Sequence, residues 1–116
     1  MRNFRELIIW KDAIQIVKKV YSLNKQMPQN EKYGLSSQIC RAAVSIPSNI
    51  AEGCSRNSQK DFKHFLEIAL GSAFELETQL LIINELEMIR ENGIYELIED
   101  LHKLQAQINS LINKVK

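Results

Sequence analysis

The stretch Ile94-Tyr95-Glu96-Leu97-Ile98-Glu99-Asp100-Leu101-His102-Lys103-Leu104-Gln105-Ala106-Gln107-Ile108-Asn109-Ser110-Leu111-Ile112-Asn113-Lys114-Val115 decides the fold. Ile94, Leu101, Ile108 and Val115 recur every seven residues, and Leu97, Leu104 and Leu111 form a second series of the same period. Apolar residues at that spacing make one continuous stripe along a helix. A lone helix cannot bury such a stripe, so it must pack against others. The remainder of the chain supplies helices with matching faces, and the fold expected is all-α.

Three further helices are legible upstream. The first begins between Asn3 and Trp10, runs to about Gln26 and is stopped by Pro28. Asn30 is the expected N-cap of the second, which continues to Gly53 or Arg56 through an apolar face of Leu35, Ile39, Ala42, Ala43, Ile46, Ile50 and Ala51. Pro47 falls inside that face. It removes a backbone donor and crowds the carbonyl of Ala43, but the periodicity survives it, so a kinked helix is expected rather than two. Ser45, Ser48 and Asn49 stand where side-chain hydrogen bonds would compensate. Ser58 starts the third helix by accepting a backbone N–H near Asp61. That helix is expected to run to about Glu91, with Asn92-Gly93 ending it. Short links between long helices favour antiparallel neighbours, hence an antiparallel up-down-up-down four-helix bundle over residues 1–116 as a single domain.

Composition agrees with this class. The chain is 45% hydrophobic and 25% charged, with only 4 Gly and 2 Pro, which favours helix over sheet. No apolar run approaches a membrane span and the first residues lack a signal-peptide pattern, so a cytoplasmic protein without membrane association is expected. Cys40 and Cys54 lie about 21 Å apart if they share one helix, too far for a disulfide.

The third helix points to assembly. Its main stripe is Phe62, Phe65, Leu66, Ala69, Ala73, Leu76, Leu80 and Ile83. A second stripe of Leu70, Phe74, Leu81 and Met88 lies roughly 115° away on the wheel. One stripe closes the core; the other has no partner within four helices and is the expected interface of a homo-oligomer. Gly71-Ser72-Ala73 reads as a small-residue patch that permits close helix approach.

Catalytic patterns are weak. Asp61-x-x-His64 and Glu99-x-x-His102 carry the letters of a carboxylate-bridged metal site, but the wheel turns both pairs outward. There is no nucleophile elbow, P-loop or Gly-rich phosphate cradle. No enzyme activity, cofactor or metal is expected. The polar run around Asn49 and Glu52 reads as a hydrogen-bonded structural junction.

Charge is more informative. The net charge is +1, yet residues 1–30 carry six basic residues against two acidic ones, whereas residues 60–91 carry three basic against seven acidic. Lys11, Lys18 and Lys25, spaced by seven, run along one edge of the first helix, with Lys19 across its polar arc. Arg41 and Arg56 extend the surface from the second helix. Such a row suits phosphate contacts, which are electrostatic and need little shape.

Two blocks then carry a resemblance. Tyr33-Gly34-Leu35-Ser36-Ser37-Gln38-Ile39, followed by Arg41-Ala42-Ala43-Val44-Ser45-Ile46-Pro47-Ser48-Asn49-Ile50-Ala51-Glu52-Gly53, resembles one hallmark of the 23S rRNA intervening-sequence protein family of four-helix bundles. The run from Phe65 to Leu80 is similar to its second hallmark. Cys40 stands where the family often has arginine or lysine. The resemblance implies an antiparallel bundle assembled as a homopentameric ring, similar to the accessory variability proteins of diversity-generating retroelements, which work with a reverse transcriptase and nucleic acid. It brings no catalytic residues. The resulting expectation is a non-enzymatic oligomeric scaffold that binds RNA or DNA through Lys11, Lys18, Lys19, Lys25, Arg41 and Arg56. The alternative is a protein-interaction module that docks a partner polypeptide, a reverse transcriptase or another, with no nucleic-acid role.

Overall fold

The heptad stripe becomes the buried face of a helix over Ile94–Lys114, here α4. Ile94, Leu97, Leu101, Leu104 and Ile108 are buried along it, joined by Ile98, Gln105 and Ile112, while Leu111 is partly buried. The computed structural model describes residues 2–89 and 93–116. Among them the chain forms α1 (Ile8–Asn24), α2 (Leu35–Cys54), α3 (Gln59–Glu85) and α4, with short 3₁₀ turns at Phe4–Glu6 and Gln29–Glu31 and no strand. The helices pack as a bundle in which α1 and α3 each lie against both α2 and α4, within 44 × 24 × 20 Å.

The helix boundaries show where local chemistry departs from the sequence expectations. Asn30 does not cap α2; it lies inside the second 3₁₀ turn. The first free amide of α2, Leu35 N–H, instead donates to Glu31 Oε1 at 3.3 Å, so a side chain one turn upstream serves as the cap. Ser58 caps α3 as expected, accepting from Asp61 N–H at 3.0 Å. The end of α3 is the largest correction. The helix stops at Glu85 rather than near Glu91, because Glu87 takes a left-handed conformation with φ 51°. Met88 N–H then donates to Ile83 O and Glu87 N–H to Asn84 O, the two bonds of a Schellman cap. Glycine usually holds that left-handed position, which is why Glu87 gave no signal. Asn92 and the proposed Asn92-Gly93 stop lie at and beside the edge of the described residues: Asn92 is outside them, and Gly93 immediately precedes α4.

Pro47 is buried within α2, which continues through it as one helix. The polar groups around it tie α2 to α3. Ser45 Oγ and Ser72 Oγ are 2.9 Å apart, and Asn49 Nδ2 donates to both the carbonyl and the hydroxyl of Ser45. Ser48 is exposed. The two small-residue positions differ in kind. In the patch Gly71-Ser72-Ala73, Ser72 and Ala73 make the expected close approach, while Gly71 itself faces open space. Gly53 is the true contact: a Cβ at this position would meet Phe65 Cβ at 2.9 Å and Phe62 Cδ1 at 3.3 Å. Arg2 seals the same corner. Its backbone N–H donates to Cys54 O at 3.0 Å, and its guanidinium lies 3.8 Å from the centre of the Phe62 ring.

Two substitutions test these geometries by urea unfolding. Gly53→Ala is expected to destabilise the fold by about 1–3 kcal/mol, since neither the Phe62 backbone nor the Phe65 Cβ can yield easily. Glu87→Gly is expected to stabilise it by roughly 0.5–1 kcal/mol, by relieving a left-handed side-chain-bearing residue.

Candidate nucleic-acid interface

The amphipathic pattern of α1 buries Ile9, Ala13, Ile16, Val20 and Leu23. A helix that buries that stripe must turn Lys11, Lys18 and Lys25 outward, and all three are exposed. Two helical turns separate each from the next, about 10 Å. None of the three forms an ion pair among the described residues.

The other expected cations divide differently. Lys19 is held by Asp100 of α4, an ion pair across the α1–α4 seam. That hydrogen bond raises the lysine's pKa, with partial burial opposing it. Lys19 therefore belongs to the packing of two helices and does not extend the lysine row. Arg56 bonds Glu52 at 3.1 Å, and its guanidinium lies 5.0 Å from the centre of the Phe65 ring. Arg41 is exposed, has no ion pair among the described residues, and borders two grooves at once. One lies between α1 and α2 beside Tyr21, Cys40 and Val44; the other lies between α2 and α3 beside Gln38, Glu75 and Gln79. Lys11, Lys18, Lys25 and Arg41 are thus exposed without an ion pair among the described residues, whereas Lys19 and Arg56 are engaged by Asp100 and Glu52.

The expected oligomer stripe also divides. Phe74 and Leu81 remain 54% and 43% exposed. Leu70 and Met88 are partly buried against the core, and Met88 has left the helix through the turn at Glu87. Ile68 and Ile82 are exposed on the same helix, on the flank toward α2.

The other titratable groups singled out from the sequence are exposed or engaged in contacts between helices. Among the described residues, no three His, Cys, Asp or Glu side chains converge as metal ligands. Asp61, His64 and Glu99 are exposed. His102 instead reaches across to α3, where Glu77 carries a contact the sequence reading missed. Glu77 Oε1 accepts from Gln105 Nε2 at 2.8 Å and Oε2 lies 3.0 Å from His102 Nε2. Burial raises the pKa of both thiols, so Cys40 and Cys54 are held as neutral thiols.

A model of the family described as 23S rRNA-intervening sequence protein matches residues 5–110. The chain belongs to that family. A solved structure from Bacteroides thetaiotaomicron VPI-5482, described as a protein with unknown function from the S23 ribosomal protein family, is 26% identical. It superposes with a TM-score of 0.83 over 91% of this chain and 96% of its own. No curated protein gives a match. Family membership accounts for both sequence hallmarks and for the four-helix architecture, and the function of the family is not established by these relatives.

The Glu77 contact gives a pH dependence. Bonds from Gln105, then His102, hold its carboxyl below the ordinary 4.5. A depressed carboxyl stabilises the fold above the unfolded value, and the contribution is lost as pH falls below 4.5 through the folded value. Glu77→Gln is expected to flatten this acid limb in thermal unfolding measured across acidic pH.

Proposed function

We propose that this chain is a non-enzymatic cytoplasmic scaffold, an antiparallel up-down-up-down bundle that assembles with copies of itself as a pentameric ring and binds RNA or DNA. The exposed row of Lys11, Lys18 and Lys25, without ion pairs among the described residues, carries the proposal. Lysines that already had carboxylate partners would have to break those pairs to reach phosphates; these three do not. Repetition of the row around a ring would add the fields of the subunits. Short connections between successive long helices support antiparallel neighbours, and exposed Phe74 and Leu81 support association through α3.

Docking of a partner polypeptide without nucleic acid is the second reading. It draws on exposed Tyr21 and Val44 beside the α1–α2 groove.

The two readings separate in a salt titration. Affinity for RNA or DNA is expected to fall steeply between about 50 and 200 mM salt, with a log–log slope that drops by roughly 2–3 in a K11E/K18E/K25E variant. Absence of any binding at low salt would overturn the nucleic-acid role. Light scattering that returned a monomer at micromolar concentration would overturn the assembly.

A further inference from the structure

Between α2 and α3, Tyr33, Gln38, Arg41, Glu75, Thr78 and Gln79 line an open cleft of about 740 Å³. Its floor holds an unmet demand. Gln79 is 7% exposed, and its Nε2 donates to Gln38 Oε1 at a long 3.4 Å, while its own Oε1 is buried with no hydrogen-bond partner. With Nε2 set toward Gln38 Oε1, the atom of Gln79 left without a partner is the acceptor oxygen. Buried polar groups are paired in most proteins, so an unpaired one beside a cleft points to a ligand that completes it.

The surroundings define that ligand. Glu75 lies one turn before Gln79 on the same side of α3, and an ionised carboxylate only accepts. Thr78 donates its hydroxyl hydrogen to Phe74 O, leaving its oxygen as an acceptor. The wall of the cleft therefore asks for N–H donors. At its end stands Tyr33, 89% exposed, with Lys32 Nζ 5.5 Å from the ring centre. A flat donor-bearing group that stacks on a phenol matches all of these features. Arg41 adds a cation at the rim, without an ion pair among the described residues, and it also borders the groove toward α1. A polyanion running from the α1 lysines to this cleft would cross Arg41 on the way.

We infer that this cleft is a base pocket for single-stranded nucleic acid, in which Tyr33 stacks on a base, Gln79 Oε1 and Glu75 accept from its exocyclic amino group, and Arg41 neutralises the adjoining phosphate. The inference rests on the nucleic-acid reading of the α1 lysines. It adds strand and base preference to a surface that would otherwise bind any polyanion. Bases in a duplex are stacked away from such a pocket, whereas a single strand presents them freely. Adenine, cytosine and guanine carry an exocyclic amino donor, whereas uracil has none and flanks its single ring N–H with carbonyl oxygens.

Fluorescence anisotropy tests this with labelled RNA homopolymers of about 12 nucleotides, within the range of known single-strand site sizes, at about 50 mM salt. Oligo-A and oligo-C are expected to bind at least about fivefold tighter than oligo-U. Tyr33→Ala is expected to weaken oligo-A binding roughly tenfold. Gln79→Leu is expected to bring oligo-A down to the affinity of oligo-U while raising the thermal midpoint, since the orphan acceptor is gone and the loss cannot then be unfolding. The K11E/K18E/K25E variant is expected to weaken every oligomer alike and leave the A-to-U ratio unchanged. If Tyr33→Ala and Gln79→Leu stay within about twofold of the parent protein on every oligomer, the cleft serves another occupant, such as an extended polypeptide, and the inference falls while the lysine row stands. Equal affinity for a matched duplex also overturns it. Failure of the parent protein to bind any oligomer removes the lysine reading, and the base pocket with it.

Discussion

The close approach of α2 to α3 is the constraint from which the rest of the architecture follows. Interaxial distance between helices is set by the side chains at the contact, and here the contact has been cleared. Gly53 lies against Phe62 and Phe65, and Ala42, Ala43, Ala69 and Ala73 are buried on the two helices. With so little bulk on these faces, side chains as short as serine can meet, and Ser45 and Ser72 do. The same economy explains how a proline is accommodated. Pro47 sits buried in a helix fixed on one side by Ser45 and Asn49 and at its end by the packing of Gly53 and Cys54. Losing one backbone donor is tolerable when the surrounding turns are held in place by tertiary contacts.

A second theme is the division of positive charge. A net charge of +1 says nothing about how basic residues are used. Arg2 closes the corner over Phe62, Lys19 joins α1 to α4, and Arg56 lies along Glu52 and Phe65. These cations are partly desolvated or already matched. Lys11, Lys18, Lys25 and Arg41 are neither, and they lie on adjoining helices. A field built from unmatched cations extends into solvent, whereas matched pairs cancel within a few ångströms.

Helix identity and the buried faces were legible because they depend on spacing alone. The stripe from Ile94 to Ile108 and the core of α3 from Phe62 to Ile83 could be read directly. What was hidden depends on three-dimensional neighbours. The left-handed turn at Glu87 uses a residue type that rarely adopts it, so the removal of Met88 from the helix to a partly buried position against the core had no local signal. Glu31 replaced Asn30 as the cap of α2 because a 3₁₀ turn brought its longer side chain to Leu35 N–H. On the candidate surface, the row of Lys11, Lys18 and Lys25 followed from a seven-residue period, but Asp100 lies far along the chain from Lys19 and only the packing of α1 on α4 joins them. The orphan oxygen of Gln79 was equally invisible, since glutamine at the edge of an amphipathic helix normally meets water.

The two cysteines share α2 yet occupy unequal surroundings: Cys54 is buried with its carbonyl bonded to Arg2 N–H, whereas Cys40 is half-buried and borders the groove toward α1. Burial raises the pKa of both thiols, but only Cys54 is also shut away from solvent. The molecule thus carries a chemical clock and its own reference. Alkylation at Cys54 times the parting of the helix ends, whereas Cys40 already borders the open α1–α2 groove and serves as the reference thiol. Their separation on one helix lets fraying at Cys54 be counted against Cys40, with no foreign label introduced into the bundle.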